Sequence, residues 1–143
     1  MNNYVSWALL GMLGYSATTL FMKLANKDGR FSSFVILAVA VSIVFISVVT
    51  ITYLKGDYKS ITAQNIKSKA FAWSIATGIV LATAVISLFK ALSLGPASVV
   101  VPVYGMFVVG GALLGMIFLH EPVSLTKVLG ILLAVGGIFL ITR

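Results

Sequence analysis

The sequence predicts an all-α membrane protein of five transmembrane helices. Three observations carry that expectation: five long apolar runs, charges gathered between them, and too little polar surface to face water. Hydrophobic residues make up 60% of the 143-residue chain and charged residues 9%, with a mean hydropathy of +1.13. A globule of this composition could not clothe itself in polar groups, so lipid is the solvent for much of the chain. The whole length reads as one membrane domain, residues 1–143, without room for a soluble one.

No charged side chain interrupts Met1–Met22, Phe31–Leu54, Ala70–Phe89, Ala91–Leu119 or Val128–Thr142. A bilayer core of about 30 Å needs roughly 20 such residues as helix, and four runs reach that length. The fifth is short at about 1.5 Å per residue, so it is expected to recruit Val123 to Thr126 and let Lys127 snorkel outward. The predicted helices are about 4–22, 33–54, 70–90, 96–119 and 124–142, with four spans and a half-inserted tail as the fallback. The first run lacks a preceding Lys or Arg, and Lys23 follows it without a small-x-small cleavage pattern, so it is a retained span rather than a signal peptide. Tyr4, Trp7, Tyr53 and Trp73 fall near helix ends on one side, where interfacial aromatics fix a helix in depth.

The formal charge of +7 sits in the connections and reads as topology and headgroup contact, not as a nucleic-acid surface. With five spans, Lys55, Lys59, Lys67, Lys69 and Lys127 lie on one side of the membrane. Lys23, Lys27, Arg30, Lys90 and Arg143 lie on the other. Orientation follows an excess of Lys and Arg in short cytoplasmic loops, and this tally has none. Two readings stand: insertion in both orientations, or a tally disturbed by the α-amino group and by Lys90, which need not lie in a loop. An odd span number gives dual insertion structural sense. Inverted repeats that meet at a midplane site are a common plan of secondary transporters, and an unfused five-helix unit reaches that plan only by antiparallel pairing. The chain has no internal repeat of its own.

Polar residues inside the runs mark a possible cavity. Pro96 suits the first turn of the fourth helix, where its missing N–H costs nothing, and Gly95 allows a tight reversal before it. Pro102 lies inside that helix, removes the bond to the carbonyl of Ser98 and should bend the backbone. In hydrocarbon the freed carbonyl needs a partner or a water-lined cavity, so Ser98 and Pro102 are either cavity wall or a plain packing kink. Thr83, Ser87 and Lys90 share one face of the third helix. An intramembrane cation is a functional-site candidate, although Lys90 is close enough to the helix end to snorkel; turned inward, it would attract an anionic group such as a carboxylate. Gly11, Tyr15, Thr18 and Met22 form a similar stripe on the first helix. The second and fifth helices lack one, which places helices one, three and four around the cavity. Gly111 and Gly115, with Tyr104 and Val108 on the same face, allow close approach of another helix, either in a dimer contact or in an intrachain crossing.

The remaining features are blander. Glu121, the only Glu, is expected to favour a helix N-terminus or to pair with Lys127. The 55–69 connection, with Ile61 and Ile66 among polar residues, is a solvated connector or a short interfacial helix touching anionic lipid. Enzyme chemistry finds no constellation: there is one His, His120, no Cys, no Ser/His/acid spacing and no metal-ligand set, so neither catalytic residues nor a cofactor are expected.

The segment Ala91-Leu92-Ser93-Leu94-Gly95-Pro96-Ala97-Ser98, followed by Pro102, Leu119-His120-Glu121-Pro122, Gly130 and Gly136-Gly137, resembles an EamA domain of the drug/metabolite transporter superfamily. Tyr15-Ser16 followed by Lys23 is similar to that family's aromatic-small pair and later Lys, although Trp-Gly is commoner there. The resemblance implies half of a ten-helix, inverted-repeat transporter for small metabolites or drugs, in keeping with a cavity among helices one, three and four. Small multidrug exporters, distant relatives, exchange protons for cations on a membrane carboxylate, whereas no Asp or Glu occurs in any apolar run here. The expected protein is an integral, multi-pass transporter of a prokaryotic cell membrane working by alternating access as an antiparallel homodimer. Its substrate contacts would come from Tyr15, Thr18, Ser87, Lys90, Ser98, Pro102 and Tyr104. The alternative is a non-transporting or flippase subunit that needs a different, paralogous membrane partner.

Overall fold

The computed structural model describes residues 3–120 and 122–142, and helix is the regular structure throughout, with no strand among the described residues. That is what hydrocarbon demands of a chain without a barrel, because a helix satisfies its backbone N–H and C=O groups within the segment. The helices are α1 (Asn3–Lys27), α2 (Ser33–Lys55), α3 (Ala63–Ile66), α4 (Lys69–Leu94), α5 (Ala97–Gly105), α6 (Phe107–Phe118) and α7 (Leu125–Ile141), with a 3₁₀ turn at Asp57–Ser60. Four helical stretches are long and apolar enough to cross a bilayer: Tyr4–Lys27, Ser33–Lys55, Lys69–Leu94 and Ala97–Phe118. The apolar Leu125–Ile141 is shorter. The chain divides into two compact units, Met1–Ser93 and Leu94–Arg143.

In the first unit α1 and α2 form a packed hairpin. Helix α1 runs five residues beyond its apolar run, through Lys23 to Lys27, because backbone bonding continues where side chains already reach for headgroups. Gly29, at φ 69, turns the chain, and its N–H donates to Asn26 O at 3.2 Å. Asn26 also fastens the hairpin sideways: Ser33 Oγ donates to Asn26 Oδ1 at 3.2 Å, and Asn26 Nδ2 reaches Met22 Sδ at 3.2 Å. Met22 and Leu37 are buried near this end of each helix. Ser32 caps α2 by accepting from Val35 N–H. At the other end Gly56, at φ 75 and ψ 11, closes α2 by donating to Thr52 O and Tyr53 O, a left-handed cap of the kind glycine makes freely.

Hydroxyls within these helices are mostly absorbed by their own backbone. Thr18 donates to Gly14 O, Ser42 to Ala38 O, Ser47 to Ile43 O, Thr50 to Ile46 O and Thr83 to Ile79 O, all at 2.8–3.0 Å. Each bond takes a donor out of lipid without needing a second helix. Helix α2 thus presents apolar surface all round, as the sequence suggests, and α4 buries Leu88, Phe89 and Leu92.

In the second unit the run expected to be one helix over 96–119 is two. Pro96 is the N-cap of α5 (φ −67, ψ 141) rather than part of its first turn. The helix then passes through Pro102 and breaks at Met106, whose N–H donates to Val103 O at 3.2 Å instead of to Pro102 O. Proline has no N–H to give Ser98 O, and the backbone tightens into a 3₁₀ step one turn later, with Met106 at ψ −14. Helix α6 ends at Phe118 and is followed at His120 by a positive φ of 52. Helix α7 packs against both α5 and α6. Its N-cap is Ser124, which accepts from Lys127 N–H at 3.2 Å, so Leu125 and Thr126 join the helix while Val123 stays outside. At 17 residues α7 is about 25 Å long. Lys127 Nζ donates to Pro122 O at 3.1 Å; the expected pairing with Glu121 lies outside the described residues.

Two outcomes follow for stability. Gly56→Ala places a Cβ on a left-handed residue and lowers stability by about 1–2 kcal/mol, whereas His120→Gly relieves the same strain and raises it by about 1 kcal/mol. Thermal unfolding in bicelles reads both, and a neutral His120→Gly would mean that the positive φ carries no strain. Pro102→Ala gives residue 102 an N–H to donate to Ser98 O and removes the ring's clash with that carbonyl, so amide exchange at residue 102 of the variant matches its helical neighbours and exchange at Met106 slows; unchanged exchange at Met106 would mean that the proline does not cause the break.

Candidate functional site

Six of the seven residues expected to line a cavity fall into three pairs, each on its own helix. On α1, Tyr15 and Thr18 lie one turn apart and are exposed, with the Thr18 hydroxyl held by Gly14 O at 2.9 Å. Their stripe ends at Met22, which is 2% exposed, so one face of α1 goes from open to packed along its length. On α4, Ser87 and Lys90 are both exposed. On α5, Ser98 is exposed and Pro102, one turn on, is half-buried. The first two pairs belong to one compact unit and the third to the other.

Helix α4 shows how its polar stripe is disposed. At about 100° per residue, Thr83, Ser87 and Lys90 cluster within roughly 60° of one another. The buried trio Leu88, Phe89 and Leu92 centres about 180° away by the same count. The stripe therefore faces away from everything the chain itself buries on this helix.

Tyr104 and the two glycines behave differently from one another. Six residues beyond Ser98, Tyr104 is about 120° around the helix from it and does not share the Ser98–Pro102 face; its ring lies against Phe107, centroids 5.6 Å apart and tilted by 59°. Gly115 is buried, whereas Gly111 is exposed, and a Cβ built on it would meet nothing within 4 Å. Gly115 thus sits at a close approach within the chain, and Gly111 leaves room beside α6.

The hydroxyl pattern sets two of these residues apart. Among the described residues, Ser87 and Ser98 make none of the backbone bonds that absorb Thr18, Ser42, Ser47, Thr50 and Thr83. Both hydroxyls are exposed donors in apolar segments, and such a group in lipid is stable only where water, a ligand or another helix meets it. A carboxylate, a hydroxyl or an amide could bond to them, and the Lys90 ammonium adds a positive charge one turn from Ser87. No group of three metal-ligating side chains occurs among the described residues. Asn26, the clip between α1 and α2, was not marked by sequence pattern: its one signal is an amide just past an apolar run, seven residues before Ser33.

Comparison with known proteins gives one match. The model of the EamA-like transporter family covers residues 2–143. No curated protein and no solved structure matches the chain closely enough to be reported as similar. The helical membrane architecture and this match over essentially the full length agree with each other, and the chain belongs to the EamA-like transporter family.

Proposed function

We propose that the chain is one half of a small-molecule transporter of a prokaryotic cell membrane, completed by a second copy inserted upside down, with substrate bound between the copies. The multi-pass membrane location and the family are established above. The observation that carries the rest is the polar stripe of α4. Thr83, Ser87 and Lys90 point away from the buried face of their helix, and lipid is a poor neighbour for Ser87 and Lys90. A partner or a watered cavity is the environment that suits them.

Three features support an inverted copy as that partner. Counted over five spans, the Lys and Arg residues divide evenly between the two sides, five and five, so neither orientation is favoured. Five is an odd number, and only antiparallel pairing of such a unit gives the ten-helix inverted-repeat plan. Gly111 leaves open space for another backbone. The five spans here are the four long helical stretches and α7, whose length of about 25 Å is carried to the headgroups by Lys127 at its N-terminal end.

In this assembly each copy presents Tyr15, Thr18, Ser87, Lys90, Ser98 and Pro102 to the central cavity, and Tyr104 contributes from the neighbouring face of α5. Ser87 and Ser98 supply neutral hydrogen bonds, and Lys90 supplies a charge that selects substrates with an anionic group such as a carboxylate. The break at Met106 gives the α5–α6 segment a hinge, and rocking about it would open the cavity alternately to the two sides. All three acids, Asp28, Asp57 and Glu121, lie outside the apolar runs. Coupling through a membrane-embedded carboxylate is therefore not part of the scheme, and facilitated diffusion or exchange is.

Purified chain reconstituted alone in proteoliposomes should give saturable flux of a substrate with an anionic group, such as an amino acid, in preference to nucleosides, sugars and organic cations. Lys90→Ala and Ser98→Ala should each weaken that substrate by about 10- to 100-fold, as expected for lost hydrogen bonds to a charged ligand. Inactivity until a different five-helix chain is added would instead identify a subunit that needs a paralogous partner. Flux unchanged by both variants would move the cavity off α4 and α5.

A further inference from the structure

The connection between α2 and α4 is a built surface rather than a slack tether. Gly56 reverses the chain at the end of α2, and Tyr58 then stacks on Tyr53, centroids 5.4 Å apart and 18° from parallel, which lays the 3₁₀ turn against α2. Ser60 Oγ donates to Asp57 O at 2.7 Å, and Asn65 Nδ2 donates back across the bend to Ser60 O at 2.7 Å. Thr62 caps α3 by accepting from Asn65 N–H, and Ser68 accepts from Phe71 N–H as α4 begins. Each polar side chain named here is spent on holding the connection's shape.

What this shape displays is apolar and basic together. Ile61 is 66% exposed, Ile66 45% and Tyr58 46%, in a segment where a connector bathed only in water gains nothing by showing isoleucine. Lys55, Lys59, Lys67 and Lys69 surround them and are all exposed, against a single acid, Asp57. Tyr53 and Trp73, both exposed, mark the level of the membrane interface on the two flanking helices. A surface of this make-up suits the membrane interface, where isoleucines would reach the acyl boundary and ammonium groups the phosphates.

From this placement we infer that residues 55–69 form a docking surface for anionic phospholipid, with the bilayer surface as occupant. Four cations against one acid are complementary to an anionic headgroup layer, and each lysine near such a surface favours it about fivefold over a neutral one. The surface needs only the membrane location and holds whether or not the chain pairs with a second copy. It also binds lipid in either orientation, since the complementary headgroups can lie in either leaflet.

The test uses the full chain with Trp7→Phe, which leaves Trp73 as the sole tryptophan, reconstituted in phosphatidylcholine vesicles containing phosphatidylglycerol in both leaflets. Brominated phosphatidylglycerol should quench Trp73 about two- to fivefold more strongly per mole than brominated phosphatidylcholine. Replacing Lys55, Lys59, Lys67 and Lys69 by Gln should bring the ratio to one, and because quencher is present in both leaflets a change of orientation does not affect it. If that variant does not fold, the parent chain decides. Raising salt from about 0.01 M to about 1 M shortens the screening length from about 30 Å to about 3 Å and should collapse the ratio. Equal quenching by the two lipids in the parent chain, a ratio indifferent to salt, or a ratio preserved in the Gln variant would overturn the inference. So would loss of the preference on adding millimolar inorganic phosphate at constant ionic strength, which would mark a site for small anions instead of a lipid surface.

Discussion

Hydrocarbon supplies no hydrogen bonds, and the cost of an unmet backbone group there explains more of this chain than any side-chain contact does. It makes every regular element a helix, and it sends the hydroxyls of Thr18, Ser42, Ser47, Thr50 and Thr83 back onto carbonyls one turn earlier. Caps at Ser32, Gly56 and Ser124 lie where helices leave the apolar layer. Lysines and arginines gather near the helix ends for the same reason. The Ser87 and Ser98 hydroxyls are left outside this pattern, and together with their place on polar faces this marks them as positions where something other than lipid should be expected.

Much of the fold was legible because lipid reduces folding to length and polarity. Uncharged runs of about 20 residues admit one conformation, so α1, α2 and α4 lie where the runs place them. The limits of that legibility are local. The break at Met106 was foreshadowed by Pro102, but its position one turn later depends on which carbonyl the next free N–H selects. The left-handed backbone at His120 has no glycine to announce it. Asn26 joins α1 to α2 through a side-chain geometry that spacing does not encode. The fifth helix gained Leu125 and Thr126 but not Val123, because a serine at 124 makes a better cap than a continuation.

The site is less legible than the fold for a physical reason. Spacing groups Ser87 with Lys90 and Ser98 with Pro102, and within a helix those groupings hold because helical geometry is fixed. Assignment of a stripe to a cavity depends on what faces it, and that lies beyond a single helix. Tyr104 leaves the Ser98–Pro102 face because the helix carries it about 120° away. The two glycines of α6 share a face but differ in burial, one buried and one open.

A half-transporter with an outward polar stripe, an even division of positive charge and a lipid-seeking connector that suits either leaflet is a consistent object if copies insert both ways. The absence of cysteine gives direct access to that claim. A single Gln64→Cys, charge-neutral and on the exposed connection, reports which side of the membrane residues 55–69 occupy when treated with an impermeant maleimide. The account predicts that about half of the chains label from outside intact cells and the remainder only after the inner face is opened, as even charge implies. Labelling confined to one face would contradict the inverted pair.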